Sequence, residues 1–184
     1  MNTKNILFST NHQKILSLLT ENSDRSFTEK EIVNSTDVSK TGVNVALREL
    51  ENNGLVLREK RGRMSFWKVD DSIPLTKELK KTLNLASLFP LVQKLQAISK
   101  RVILFGSTAT GTDTSESDID LFVLTENKDG ALKEILAFKT AREIKPVIQT
   151  TVEYATSRKK DKAFYEQVAK GITLFEKEAD EQRL

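Results

Sequence analysis

The stretch GSTATGTDTSESDIDLFV, residues 106–123, sets Asp118 and Asp120 one residue apart at the start of an apolar run. Alternate residues of a strand face one side, so the two carboxylates project together. Two like charges this close repel each other unless a cation sits between them. Mg2+ takes oxygen ligands and commonly uses one or two carboxylates together with the phosphates of its substrate. Directly ahead of the pair, Gly106 permits a tight turn after the apolar VILF, and Ser107 offers a hydroxyl and a backbone N–H. A turn of this kind into a helix N-terminus suits a phosphate, because unpaired N–H groups point at it. Together the turn and the acidic pair suit metal-assisted phosphoryl or nucleotidyl transfer. A Ca2+ loop fits less well, since the glycine and terminal glutamate spacing of an EF-hand are absent. A plain acidic turn is the other reading. Asp113 and Glu116 read as solvated loop charges.

The surrounding residues must position that loop. Arg101–Phe105 and Ile119–Leu124 are strand-like apolar runs. Residues 131–142 are helical in spacing, 144–150 return to a strand, 162–170 are helical, and 171–175 form a last short strand. Strand and helix therefore alternate through the second half, an α/β pattern. An apolar strand, Gly-Ser, a spacer containing Gly, then Ser-Asp-x-Asp and a further apolar run stand here as VILFGSTATGTDTSESDIDLFV. This combination is similar to the signature of the DNA polymerase β-like nucleotidyltransferases, especially their minimal members. The resemblance covers residues 100–176, with GITLFE similar to the family's closing strand. It implies that Gly106 and Ser107 hold the triphosphate of ATP or another NTP, and that Ser117, beside them on the nucleotide, orients the acids. It also implies that Asp118 and Asp120 are catalytic and bind two Mg2+ ions. A hydroxyl on a protein, RNA or small molecule would attack, and pyrophosphate would leave. One departure stands out. The family carries a third carboxylate on the next strand, EIKPVIQT here, and the matching position falls near Lys145. Glu143 shares its parity but stands at the strand's start, and Glu153 lies past its end. A lysine there would neutralise the aspartates and compete with metal.

The first half has a different pattern. Ile15, Leu16, Leu18 and Leu19 mark a helix over residues 11–21; Thr28 and Glu31 have the spacing of a capping box; Ser39 can cap a third helix with Val43, Leu47 and Leu50 on one face, ended by Gly54. LVLREKRGRMSFWKV then reads as two strands around Arg61-Gly62. Three helices and a hairpin in this order resemble a winged helix-turn-helix domain over residues 5–70. The resemblance implies a third helix entering the major groove of double-stranded DNA through Lys40, Thr41, Asn44 and Arg48. It further implies a wing whose tip, Arg58, Lys60, Arg61 and Arg63, neutralises phosphates. Trp67 and Val69, two apart, read as core.

The fold expected is α+β: a winged helix-turn-helix domain at 1–71, a helical bridge at 72–99 interrupted or kinked at Pro90, and a mixed-sheet nucleotidyltransferase-like α/β domain at 100–184. With 29 Lys and Arg against 26 Asp and Glu, the net charge of +3 leaves nucleic-acid binding to local patches. The absence of cysteine excludes disulfides and thiolate metal sites. No apolar stretch approaches a membrane span, and the N-terminal residues lack the apolar core of a signal peptide, so a cytoplasmic protein is expected. The apolar bridge and the paired half-sites usual for such DNA-binding modules lead us to expect a homodimer. Two functions follow. One is a DNA-binding protein whose Mg/NTP domain transfers a nucleotide to a hydroxyl of a protein partner, as in toxin–antitoxin pairs. The other is a transcriptional regulator whose nucleotidyltransferase fold is degenerate and senses nucleotide or serves as a scaffold.

Overall fold

The computed structural model describes residues 3–177. They are α+β, with one antiparallel and one mixed sheet, and divide into two compact units. The first comprises the chain up to Ser87 together with Gly111–Glu116; the second comprises Leu88–Thr110 and the chain from Ser117 on.

In the first unit, α1 (Thr3–Leu7) leads into α2 (Asn11–Glu21), then β1 (Phe27–Thr28), α3 (Glu29–Ser35) and α4 (Lys40–Asn52). The hairpin β2 (Val56–Arg61) and β3 (Met64–Val69) follows, and β3 lies between β1 and β2 in an antiparallel sheet. The helix starts are written locally. Thr10 caps α2 and Thr28 caps α3, each in a reciprocal capping box with the residue three places on, Gln13 and Glu31. Ser39 accepts from the Gly42 N–H at the start of α4. Gly54, with φ of +70°, turns the chain out of that helix. Ile15, Leu19, Phe27, Ile32, Val43, Leu47 and Trp67 form the core, each almost fully buried. Trp67 and Val69 are thus core residues, as their alternation predicts.

α5 (Pro74–Gln96) begins in the first unit and ends in the second. It runs unbroken through Pro90, where the sequence predicts a break or kink. A proline costs one backbone donor, and buried Leu88, Leu91, Val92 and Leu95 hold the helix on both sides of it.

The second unit is built on β4 (Arg101–Phe105), α6 (Gly106–Thr110), β5 (Ile119–Leu124), α7 (Lys128–Ala137), β6 (Ile144–Gln149), α8 (Thr151–Lys160), α9 (Lys162–Ala169) and β7 (Ile172–Glu176). The strand order is β6-β5-β4-β7; β5 and β6 are parallel and the other pairs antiparallel, so the sheet is mixed. The central strands are buried on both faces. Ile103, Phe105, Phe122 and Leu124 pack with Tyr165 and Val168 of α9, while the alternate residues Val102, Leu104, Leu121 and Val123 are fully buried on the other side. Phe105 meets Phe164 edge-on at 5.7 Å, and the Tyr165 hydroxyl donates to Gln149 Oε1 at 2.7 Å. β6 is an edge strand and carries Pro146 next to Lys145.

Several local expectations shift. The helix expected at 131–142 starts at Lys128, because Asn127 accepts from Gly130 N–H and caps it early, and it ends at Ala137. α8 falls where no element is expected. It has no buried residue, so it lacks the apolar stripe that reveals a helix. Its signals are the Thr150–Glu153 capping box and the cations Arg158, Lys159 and Lys160 in its last turn, which complement the helix dipole. Asp113, expected as a solvated charge, is 6% exposed and accepts from Asn84 Nδ2. Glu116 is exposed as expected.

Glu126 ties β5 to α8. It accepts from the Thr151 hydroxyl at 2.6 Å and from Lys100 Nζ at 2.9 Å, which lowers its carboxyl from the usual 4.5 to about 2. A carboxyl lowered by folding adds stability above its unfolded value and loses it as the pH falls through the folded one. Acidification from about pH 4.5 to about pH 2 should therefore destabilise the wild type more than Glu126→Gln. Equal acid slopes in thermal melts of the two proteins would contradict this.

Candidate nucleotide site

Antiparallel pairing sets Phe105, the last residue of β4, opposite Asp120 of β5, and parallel pairing sets Lys145 of β6 opposite Asp120 on the other side. Asp118 lies just before β5, and the buried Thr108 of α6 donates its hydroxyl to the Asp118 carbonyl at 3.0 Å. Thr108 was not singled out from sequence. Its signal is weak, a small polar residue in the turn after Gly-Ser, and its role is to hold the backbone that presents the first acid.

Gly106 is required on two counts. Its φ is +71°, where side chains are strained. A Cβ there would also run into the Asp120 carboxylate, with Asp120 Cγ 3.1 Å away. Ser107 follows in the turn, half-buried, and Ser117 is half-buried just ahead of Asp118. The turn and the acids thus come together around Gly106 and Asp120.

The electrostatics follow from that crowding. Asp120 is raised above the ordinary carboxylate value, first by burial and then by the charge of Asp118, with Lys145 opposing. Lys145 Nζ lies 2.5 Å from Asp118 Oδ2, and this hydrogen-bonded contact raises the lysine, with further help from the charges of Glu143 and Asp120. The lysine expected near the pair from the family resemblance therefore does reach it. Glu143 precedes β6, and its carbonyl accepts the Ile119 N–H at 2.8 Å. Glu153 is engaged elsewhere, accepting from Lys128 Nζ at 2.9 Å and from the Thr150 N–H.

Among the described residues, no group of three or more acidic, histidine or cysteine side chains gathers as a metal site. Two carboxylates on one side suit a Mg2+ that arrives with phosphate oxygens. Beside them stands the Lys145 ammonium, paired with Asp118.

The residues suggested for DNA lie in the first unit. Lys40, Thr41 and Arg48 are exposed on α4. Asn44 is half-buried and donates to Glu29 Oε2 at 3.1 Å and to the Lys40 carbonyl. Lys60 and Arg63 are exposed at the end of the hairpin, where Arg61 is paired with Glu59 at 2.8 Å. Arg58 is not at the tip. It stands mid-strand opposite Trp67, with its guanidinium over the indole and donating to the Ser65 hydroxyl. An open cleft of about 550 Å3 brings Arg58 and Arg63 together with Lys40 and with Lys30 of α3, a cation that sequence reading missed.

Gly106→Ala should destabilise the protein by more than ~1 kcal/mol, since alanine neither adopts that φ freely nor fits against Asp120. Urea denaturation would measure it, and an unchanged midpoint would refute the close approach.

No curated protein matches the chain. Among solved structures, that of TrmBL2, an archaeal chromatin protein described as showing a novel mode of DNA binding, is similar at 15% identity. The match covers 84% of this chain and 70% of that one, and its TM-score of 0.29 is too low to carry an argument. Residues 87–180, just over half of the chain, match the model of the polymerase β nucleotidyltransferase family. With the Gly-Ser turn, the Asp118–Asp120 pair and the mixed sheet that holds them, that match shows the chain to be a member of the polymerase β nucleotidyltransferase family.

Proposed function

We propose that this protein is a DNA-binding regulator whose nucleotidyltransferase-family unit binds a nucleoside triphosphate with Mg2+ and transfers it slowly or not at all. The observation that carries this reading is Lys145 Nζ at 2.5 Å from Asp118. A competent member needs a third acid there to accept the proton of the attacking hydroxyl. A protonated lysine has only donors and repels a cation. In our reading Gly106, Ser107 and Ser117 contact the phosphates, and Asp118 and Asp120 hold the Mg2+ that neutralises them. Lys145, freed from Asp118, donates to a phosphate oxygen.

A second reading is supported by Glu143, whose charge is felt at Lys145. Glu143, or a carboxylate of a protein partner, would act as base for transfer of a nucleotide to a hydroxyl of that partner, as in toxin–antitoxin pairs. Asp118→Asn with Asp120→Asn should abolish calorimetric binding of Mg-ATP, and wild-type-like binding would reject the site. Pyrophosphate release should be slow in wild type and rise in Lys145→Asp. Brisk wild-type release that Glu143→Gln abolishes would favour transfer instead.

For the first unit we propose a winged helix-turn-helix module. The order α2–α3–α4 followed by the β2–β3 hairpin supports it. α4 would enter the major groove through Lys40, Thr41, Asn44 and Arg48. Arg58, Lys60, Arg61 and Arg63, with Lys30 across the cleft, would neutralise phosphates. Because Arg61 is already paired with Glu59, Lys60 and Arg63 should matter more. Neutralising them should weaken duplex binding regardless of sequence and flatten the salt slope by about one unit per lost contact. Binding that does not respond to salt would refute the wing assignment. Paired half-sites would be read by a homodimer in the cytoplasm, and light scattering that gives a monomer at high concentration would exclude the dimer.

A further inference from the structure

Asn44 lies on the face of α4 that carries Lys40 one turn before it and Arg48 one turn after. Its neighbours, all in the first unit, hold its amide in one orientation. Nδ2 donates to Glu29 Oε2 at 3.1 Å and to the Lys40 carbonyl at 3.3 Å. A side-chain amide has two such hydrogens and one acceptor oxygen. An ionised carboxylate and a main-chain carbonyl only accept, so both partners must face the NH2 group and the amide cannot turn over. Both hydrogens are thus committed, and among the described residues nothing donates to Oδ1.

Glu29, the first residue of α3, is out of place by charge. It lines the open cleft together with Lys30, Lys40, Arg58 and Arg63. A carboxylate there opposes a phosphate and weakens the attraction of those cations for one. Yet among the described residues the bond it accepts comes from neutral Asn44 and from none of the cations. What Glu29 does for the cleft is therefore done to the amide of Asn44.

Resting on the DNA-binding reading above, we infer that Glu29 is a positioning residue that fixes what Asn44 reads: the amino group of a base and nothing more. A free asparagine pairs with adenine through two bonds, accepting from N6 and donating to N7. With no hydrogen left to donate, Asn44 offers Oδ1 alone. Oδ1 can accept from adenine N6 or cytosine N4, and it meets guanine O6 or thymine O4 acceptor against acceptor. The base facing Asn44 is then A or C, read alike, instead of A alone.

The test is selection of bound duplexes from a randomised library by full-length wild type, Glu29→Ala and Asn44→Ala. The position that loses its preference in Asn44→Ala identifies the base that is read. There wild type should bind A and C within about threefold of each other, and G or T roughly tenfold more weakly. Glu29→Ala frees one hydrogen and should favour A over C roughly tenfold. Loss of a negative charge tightens binding to every sequence, so the ratio of A to C is the measure, and a merely structural role would leave that ratio unmoved. Without DNA, the Asn44 side-chain amide should exchange with water severalfold faster in Glu29→Ala, while that of exposed Asn52 is unchanged. If Glu29→Ala does not fold, Glu29→Leu, which keeps the bulk and lacks the acceptor, decides by the same measures. Selection of A alone by wild type, an A-to-C ratio that loss of Glu29 does not shift, or no position that responds to Asn44→Ala overturns the inference. A wild type that enriches no duplex refutes the DNA reading, and Asn44 amide exchange then decides whether Glu29 holds the side chain.

Discussion

Two carboxylates on one side of a strand mouth are a standing electrostatic stress, and the arrangement of the second unit answers it. Asp118 and Asp120 cannot relax apart, because Thr108 holds the backbone of one and the Gly106 turn closes on the side chain of the other. Burial adds to the repulsion and raises Asp120. The relief comes from the neighbouring strand. Parallel pairing of β5 with β6 delivers Lys145 across from Asp120 and within reach of Asp118. The lysine is more than half exposed, so solvent screens the pair. A ligand that brings its own cation and phosphates has only this screened contact to displace.

Most of the scaffold was legible because its signals are local. Capping boxes at Thr10 and Thr28, Ser39 ahead of α4 and Gly54 behind it are each settled within a few residues. Strand alternation correctly sent Trp67 and Val69 inward, and the resemblance to the family's motif pointed to Lys145 as the residue beside the acids. What was hidden depends on partners distant in sequence or on an absent stripe. Asp113 reads as solvent-facing until Asn84 and Lys80, some thirty residues earlier, are folded against it. α8 buries nothing, so periodicity is silent there. Pro90 is a breaker by itself, but a helix packed on both sides of it tolerates one missing donor. Arg58 and Arg61 count equally in a basic run, yet one is spread over an indole and the other is matched to Glu59.

The edge that carries Lys145 has a consequence for assembly. β6 closes the sheet on one side, and an open edge is a template on which another chain can add a strand. Pro146 removes a donor from that edge beside the lysine, and a proline at such a position blocks continuous strand addition. A cation next to a proline is a pairing that keeps sheets from stacking edge to edge in solution. An edge short of this donor offers an added strand only an interrupted ladder of backbone hydrogen bonds.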